Sequence, residues 1–275
     1  MTQKSTWNAA AALALLTGLS LATGCAHGRD AAAVNAFETR RQIARHLVES
    51  GDWEPALAYV SDLHREAPED AGVLVLRATI YRERGLRPEA EADLRDAIRL
   101  EPNLAAARSG LGVLCDMARR PAEAEEQHRQ AVKLEPRNPT FLNNLGFSLF
   151  LRGKTAEAVT FYEQAARIAP TVQRTRTNLG FAYAARGDLQ RAAREFEMGG
   201  SPADAKINLG FAYERRGDMA NAYTLYAEAA RLEPTSRRAR VNLVHAAQVS
   251  GRPLPAPLPG DVTAGDAPAA PSPSP

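Results

Sequence analysis

Residues 143–170 read NNLGFSLFLRGKTAEAVTFYEQAARIAP, and this stretch contains the features that decide the fold. Apolar residues recur every three or four positions on both sides of the Gly153-Lys154 turn, which is the spacing of two amphipathic helices. Glycine allows the first helix to end in a left-handed residue. Pro170 stops the second helix because its nitrogen carries no hydrogen to donate. The stretch therefore predicts a helical hairpin.

The same pattern returns along the chain with a period of 34 residues. When Pro139 is position 1, alanine occupies position 20 of six units, and a small residue occupies position 8 of each. Proline occupies position 32 of the five full-length units. The units are Phe37–Asp70, Ala71–Leu104, Ala105–Asn138, Pro139–Val172, the shortened Gln173–Pro202 and Ala203–Ser236, followed by a single first helix, Arg237–Gly251.

This pattern resembles the tetratricopeptide repeat over about three-quarters of the chain. The resemblance implies an all-α fold: a right-handed superhelix (α-solenoid) of about six helical hairpins over residues 37–251, with a C-terminal capping helix. In the shortened unit, Gly199 and Gly200 should end the second helix early, and Ser201 with Pro202 should begin the next one. Cys115, at position 11 of its unit, is expected to be a buried structural thiol.

The two ends of the chain have different compositions. Residues 1–24 contain one lysine, an apolar run and small residues before Cys25, as export signals do. The ending LATGC resembles a bacterial lipobox, which implies that the chain is cut before Cys25 and that this cysteine is acylated. The alternative is an ordinary signal peptide cut nearby. We expect a linker over residues 25–36 and a disordered tail over residues 252–275, which hold eight prolines.

Composition and motifs exclude several classes of function. The formal net charge of +2 gives no bulk attraction to nucleic acid, and two cysteines cannot build a disulfide framework. No histidine pair has the spacing of metal ligands on one helical face, and the sequence has neither a nucleophile elbow nor a phosphate-binding loop. We therefore expect no catalytic residues, metal, cofactor or small-molecule substrate.

Two rows of side chains recur in the later units. In the tetratricopeptide family, positions 2, 5, 6, 9, 12 and 13 of each first helix face the concave side, and positions 6 and 9 carry the two rows here. An asparagine amide can pair with any peptide backbone, and a phenylalanine ring adds apolar contact. The resemblance implies a groove for an extended peptide or a partner helix; the alternative is that these side chains only serve packing. The residues are Asn144, Asn178, Asn208 and Asn242 at position 6, and Phe147, Phe181 and Phe211 at position 9.

The first two units carry arginines instead. Arg41, Arg45 and Arg82 occupy groove positions there, and we expect them to attract an acidic segment. The pattern of the chaperone-type carboxylate clamp is not matched, because Leu76 stands where that clamp has asparagine.

A lipobox followed by about six such repeats, with the segments Asn143–Phe147 and Arg176–Phe181, resembles the TadD family of Tad, or Flp, pilus assembly lipoproteins. The pilotin lipoproteins of type IV pili share this layout. The resemblance implies a non-enzymatic assembly factor, anchored by lipid to the outer membrane and facing the periplasm, that binds a secretin or another pilus component. Two alternatives remain: a general periplasmic scaffold that recruits cell-wall enzymes, and a transferase or hydrolase with an unrecognised site.

Overall fold

A computed structural model describes residues 34–255 of the chain, and these residues are helical apart from short connections. They fall into two compact units, one up to Leu114 and one from Cys115 onward, so that the division lies within the fifth helix. The predicted signal peptide, the predicted lipidation site Cys25 and the tail beyond residue 255 lie outside the described residues.

Thirteen helices follow one another between residues 34 and 255, and that range contains no strand. They are α1 (34–50), α2 (Trp53–Glu66), α3 (Ala71–Glu83), α4 (Arg87–Leu100), α5 (Ala105–Met117), α6 (Pro121–Leu134), α7 (Pro139–Leu151), α8 (Thr155–Ile168), α9 (Gln173–Ala185), α10 (Leu189–Met198), α11 (Pro202–Arg215), α12 (Met219–Leu232) and α13 (Arg237–Ser250). Odd-numbered helices are the first helices of the repeats and even-numbered ones the second. The all-α fold of repeated hairpins is confirmed.

Glycine and proline mark the helix ends where the sequence predicts them. The glycine at position 15 has a positive φ in five repeats, as at Gly187 (φ 86°), and it turns the chain from the first helix into the second. In the third repeat Arg119 adopts this conformation with φ 57°. Each full-length second helix ends two residues before the position-32 proline, as α8 does before Pro170.

The shortened fifth repeat also folds as expected. Its second helix, α10, has 10 residues, whereas α8 and α12 each have 14. Gly199 is the C-cap of α10, and the Ser201 hydroxyl accepts a hydrogen bond from the Asp204 backbone N–H at the start of α11. The missing residues are therefore lost from the end of a second helix, and the next hairpin begins normally.

Small residues allow the two helices of a hairpin to approach closely in both units. Every position-20 alanine is fully buried, as at Ala56 and Ala192. In the first unit these alanines share the core with aliphatic side chains such as Leu63 and Ile80. In the second unit Leu145, Tyr162 and neighbouring side chains take the same role. Cys115 is buried, as expected for a structural thiol.

No helix between residues 34 and 255 is long and apolar enough to cross a bilayer.

Candidate functional site

Three successive first helices of the second unit line an open cavity of about 470 Å³, the aromatic cavity. It lies on α7, α9 and α11, and most of its lining comes from positions 6, 9, 12 and 13 of those helices. Several of the side chains predicted to line a groove are therefore brought together here. The lining residues are Phe147, Phe150, Tyr162, Asn178, Phe181, Ala184, Ala185, Phe211, Ala212, Arg215 and Arg216.

The position-9 phenylalanines form the apolar floor of the aromatic cavity. Phe181 lies in the middle, and its ring centroid is 5.9 Å from that of Phe211 in an edge-to-face arrangement with an interplanar angle of 88°. It also meets Phe196 of α10 beneath it, with the centroids 4.9 Å apart. Phe147 and Phe211 leave 42% and 41% of their surface exposed, although they are large apolar side chains. These two rings are thus available to a ligand, and Phe181 is held in place between its neighbours.

The asparagines of position 6 differ from one another in their surroundings. Asn178 lines the aromatic cavity, and its Nδ2 donates to Oδ1 of the buried Asn143, 3.1 Å away. This bond engages Nδ2 and leaves the amide oxygen of Asn178 able to accept a further hydrogen bond. Asn144, on the preceding first helix, is half-buried, and its Oδ1 is 3.5 Å from Nδ2 of Asn143.

The other two asparagines do not line the aromatic cavity. Asn208 is buried, and its Oδ1 accepts a hydrogen bond from Nη2 of Arg238 on the next first helix. Asn242 is half-buried on α13. The expected row of four equivalent amides is therefore uneven: stacking of α11 against α13 uses the amide of Asn208, while Asn178 lies at the cavity.

Two arginines at one end of the aromatic cavity were not expected. Arg215 is the last residue of α11 and Arg216 is its C-cap, and both are exposed. A Cβ added to Gly187 would lie 3.5 Å from Nη1 of Arg216, so this guanidinium rests against the turn after α9. Position 13, which Arg215 holds, is one of the groove positions of the family. Arg215 could therefore have been predicted as a groove residue from the sequence.

The arginines predicted for the first unit are largely engaged within it. Arg41 Nη1 lies 3.1 Å from Asp70, the N-cap of α3, and Arg41 Nη2 lies 2.6 Å from Glu38. Arg82 pairs with Glu83 at 2.7 Å, whereas Arg45 is exposed. Two of the three cations thus already neutralise carboxylates of their own helices and caps.

A charged cluster in the second unit joins the third repeat to the fourth. Glu125 of α6 is buried, and its carboxylate meets Arg129 of the same helix at 2.8 Å, Lys154 at 2.8 Å, and Arg152. Burial by itself would raise the pKa of the Glu125 carboxyl. Hydrogen bonds from Lys154 and Arg129 and the charge of Arg152 outweigh burial and lower the pKa to about 2. The cluster therefore holds the turn after α7 against α6.

A second polar network is buried beside this cluster. The Ser148 hydroxyl donates to Oδ1 of Asp116 at 3.0 Å, and Nε2 of His128 lies 3.2 Å from Oδ2 of the same carboxylate. All three side chains are almost completely buried. The carboxylate lies between the hydroxyl and the imidazole, whereas in a hydrolytic triad the imidazole lies between the other two. The arrangement thus joins α5, α6 and α7 and lacks the order of a nucleophilic site.

Among the residues described, no three histidine, cysteine, aspartate or glutamate side chains come together in a way that could hold a metal ion.

Comparison with known proteins agrees with the repeat pattern. A sequence profile of the tetratricopeptide repeat matches residues 41–105, 75–128 and 118–172, and a second profile of the same repeat matches residues 203–236. Together the matched segments span more than half of the chain and omit the shortened fifth repeat. No curated protein sequence matches the chain significantly.

Solved structures with a similar fold include three other repeat proteins. PilF of Pseudomonas aeruginosa is 17% identical, with a TM-score of 0.60, covering 77% of this chain and 98% of its own. PilW, described as a widely conserved type IV pilus biogenesis factor, is 20% identical, with a TM-score of 0.64 and coverages of 76% and 98%. YrrB, described as a TPR protein with an unusual peptide-binding site, is 22% identical, with a TM-score of 0.53 and coverages of 69% and 97%. These structures show the same fold, and the profiles, which match more than half of the chain, show that it belongs to the tetratricopeptide repeat family.

Proposed function

We propose that this protein is a non-enzymatic scaffold that binds a partner polypeptide in the aromatic cavity. The observation that carries the proposal is the exposure of Phe147 and Phe211 beside the amide of Asn178. Covering exposed rings in a concave surface with an apolar side chain is favourable, because it removes apolar surface from water. An amide oxygen next to them can accept a hydrogen bond from the backbone of an extended chain.

We further propose that the partner belongs to a pilus or secretion machine, as the resemblance to the TadD family implies. Support comes from the similar folds of PilF and of PilW, the latter a type IV pilus biogenesis factor. YrrB, a repeat protein with a peptide-binding site, supports the binding of a polypeptide more generally. A periplasmic scaffold for cell-wall enzymes is the competing assignment, and only the identity of the partner separates the two.

The site of action proposed is the bacterial envelope, with Cys25 acylated and the chain attached to the outer membrane on its periplasmic side. Its support is the LATGC sequence after an apolar run. Several acyl chains hold a protein on a bilayer without a transmembrane helix. Labelled palmitate should enter the wild-type protein and should be absent from Cys25→Ser. Label in the variant, or no label in either protein, would contradict acylation at Cys25.

The partner can be identified by chemical crosslinking in intact cell envelopes followed by mass spectrometry. Phe181→Ala and Asn178→Ala should lose the captured partner while their circular dichroism stays that of the wild type. The matched control is Leu232→Ala, which removes an exposed apolar side chain at the end of α12, away from the aromatic cavity. A secretin or pilus component in the capture supports the assembly role, and a cell-wall enzyme supports the general scaffold. Equal capture by all variants would contradict binding in the cavity.

A further inference from the structure

Positive charge is concentrated at one end of the aromatic cavity. Arg215 and Arg216 line that end, and Arg186 stands next to Gly187, against which the Arg216 guanidinium rests. Within residues 34–255, none of these three arginines forms an ion pair with an acidic side chain. The opposite end and the floor are apolar, because Phe147, Phe150 and Phe181 line them.

The nearby carboxylates are used elsewhere, which is why they leave these arginines uncompensated. Glu214, the residue before Arg215, accepts a hydrogen bond from the Tyr226 hydroxyl at 2.7 Å and lies 3.6 Å from His245. Asp188 accepts from the backbone N–H of Arg191, and Asp218 from both nitrogens of Asn221. Glu214 is therefore engaged by α12 and α13, and Asp188 and Asp218 are engaged by the helices that they cap.

The lining side chains determine which kind of ligand would bind in the aromatic cavity. An apolar side chain would cover the exposed rings of Phe147 and Phe211, and its backbone N–H could donate to Oδ1 of Asn178. A carboxylate a short distance along the same extended chain would then reach Arg215 and Arg216. Guanidinium groups bind carboxylates through paired hydrogen bonds, and they do so more strongly beside apolar surface than in open water.

We propose that the aromatic cavity selects an acidic polypeptide segment in which a large apolar residue stands near an aspartate or a glutamate. This inference rests on the proposed function and adds the chemistry of the partner to it. The occupant is a segment of a separate protein, bound by its apolar side chain on the phenylalanines and by its carboxylate on the two arginines.

Fluorescence anisotropy with the purified full-length chain tests this selection. Three short fluorescein-labelled probes share a serine–glycine background and two leucines, and differ only in two further residues, which are aspartate, asparagine or lysine. The aspartate probe should bind about tenfold more tightly than the lysine probe. Higher ionic strength should weaken binding of the aspartate probe several-fold, because salt screens the exposed guanidinium groups.

Paired variants assign the preference to the two arginines. Arg215→Gln combined with Arg216→Gln should weaken the aspartate probe about tenfold and leave the asparagine probe within about twofold. The matched control is Arg194→Gln combined with Arg231→Gln, which removes two exposed charges from α10 and α12 outside the cavity and should change neither affinity.

The outcomes separate the two proposals. Probes that bind in a Phe181-dependent way with no preference for aspartate would overturn the acidic selection and leave the peptide-binding function standing. No Phe181-dependent binding of any probe would overturn both. If a peptide copying residues 256–275, which hold Asp261 and Asp266 and no lysine or arginine, bound more tightly than the aspartate probe, the occupant would be this chain's own segment. That result would overturn the assignment to a separate partner.

Discussion

At position 8 of the later repeats, glycine is required because an aromatic ring of the same repeat fills the space where a Cβ would lie. A Cβ at Gly146, Gly180 or Gly210 would come within 2.9, 2.5 or 2.7 Å of the ring at position 24. In the first two repeats position 8 is alanine, and position 24 is Val60 or Leu94, which are smaller. The two positions therefore act as a matched pair, in which a larger residue at one goes with a smaller residue at the other.

Gly180→Ala tests this pairing. The added methyl group would press on the Phe196 ring, which is already packed against Phe181, so we expect a loss of about 1–3 kcal/mol in the free energy of unfolding. Urea denaturation measures it. Adding Phe196→Leu makes room for the methyl group, and the double variant should lose clearly less than the sum of the two single losses. Strict additivity would show that the two residues do not compete for space.

The carboxyl of Glu125 should make stability depend on acid. Its pKa in the folded protein is about 2, below the ordinary value of 4.5, so its contribution is complete above pH 4.5 and is lost as the pH falls towards 2. Glu125→Gln should therefore cost about 2 kcal/mol at neutral pH and almost nothing near pH 2. Denaturant titrations at several pH values give this difference.

Glu157→Gln is the matched control for the acid dependence, because Glu157 also pairs with Arg129 but is 52% exposed. Its effect should be small at every pH. A constant gap between wild type and Glu125→Gln down to pH 2 would mean that the cluster does not depress the pKa of Glu125.

At the scale of the helices, the residue that precedes each first helix acts as its N-cap in most repeats. Asn138 accepts hydrogen bonds from the backbone N–H groups of Thr140 and Phe141 at the start of α7. Val172 holds the same place before α9 with nearly the same backbone angles, and it has no side-chain acceptor. The start of α9 therefore lacks a bond that α7 has.

Exchanging these two caps should move stability in opposite directions. Val172→Asn should raise the free energy of unfolding by about 0.5–1 kcal/mol, and Asn138→Val should lower it by about 1 kcal/mol. Thermal and urea unfolding of both variants provide the values. If Val172→Asn were neutral while Asn138→Val was destabilising, packing of the Val172 side chain would outweigh the cap.

Helix bounds could be predicted from the sequence because they depend on local residues. Pro170 and Gly153 fix the ends of their helices through their own backbone chemistry, and the repeat returns the same signals along the chain. Contacts between repeats could not be predicted in this way. The ion pair of Glu125 with Lys154 and the contact of Arg216 with Gly187 join residues 29 positions apart, and their formation depends on the rotamers chosen after stacking.

The candidate site could be predicted only in part, because its repeating positions are visible in the sequence and its contacts between repeats are not. The periodicity placed Phe147, Phe181 and Phe211 on one face, and the structure brings all three to the aromatic cavity. The periodicity could not predict the hydrogen bond from Arg238 to the amide of Asn208, because that bond depends on how α11 and α13 pack. That the cavity residues bind a partner stays a proposal.

At the scale of the whole molecule, the two compact units have different chemistry on their surfaces. The first unit pairs Arg41 and Arg82 with its own carboxylates, whereas the second leaves Arg215 and Arg216 uncompensated beside exposed phenylalanine rings. We therefore expect binding to be confined to α7, α9 and α11, and the first unit to support the fold without taking part in this contact.

Fluorine NMR of the chain labelled with 4-fluorophenylalanine tests binding in the cavity most directly, with each resonance assigned by a Phe→Tyr variant. Adding the aspartate probe should shift the resonances of Phe147, Phe181 and Phe211. Those of Phe37 in the first unit and Phe161 on α8 should stay unchanged, because neither lines the aromatic cavity. Shifts confined to Phe37 or Phe161, or no shift at any ring at saturating probe, would contradict binding in the cavity.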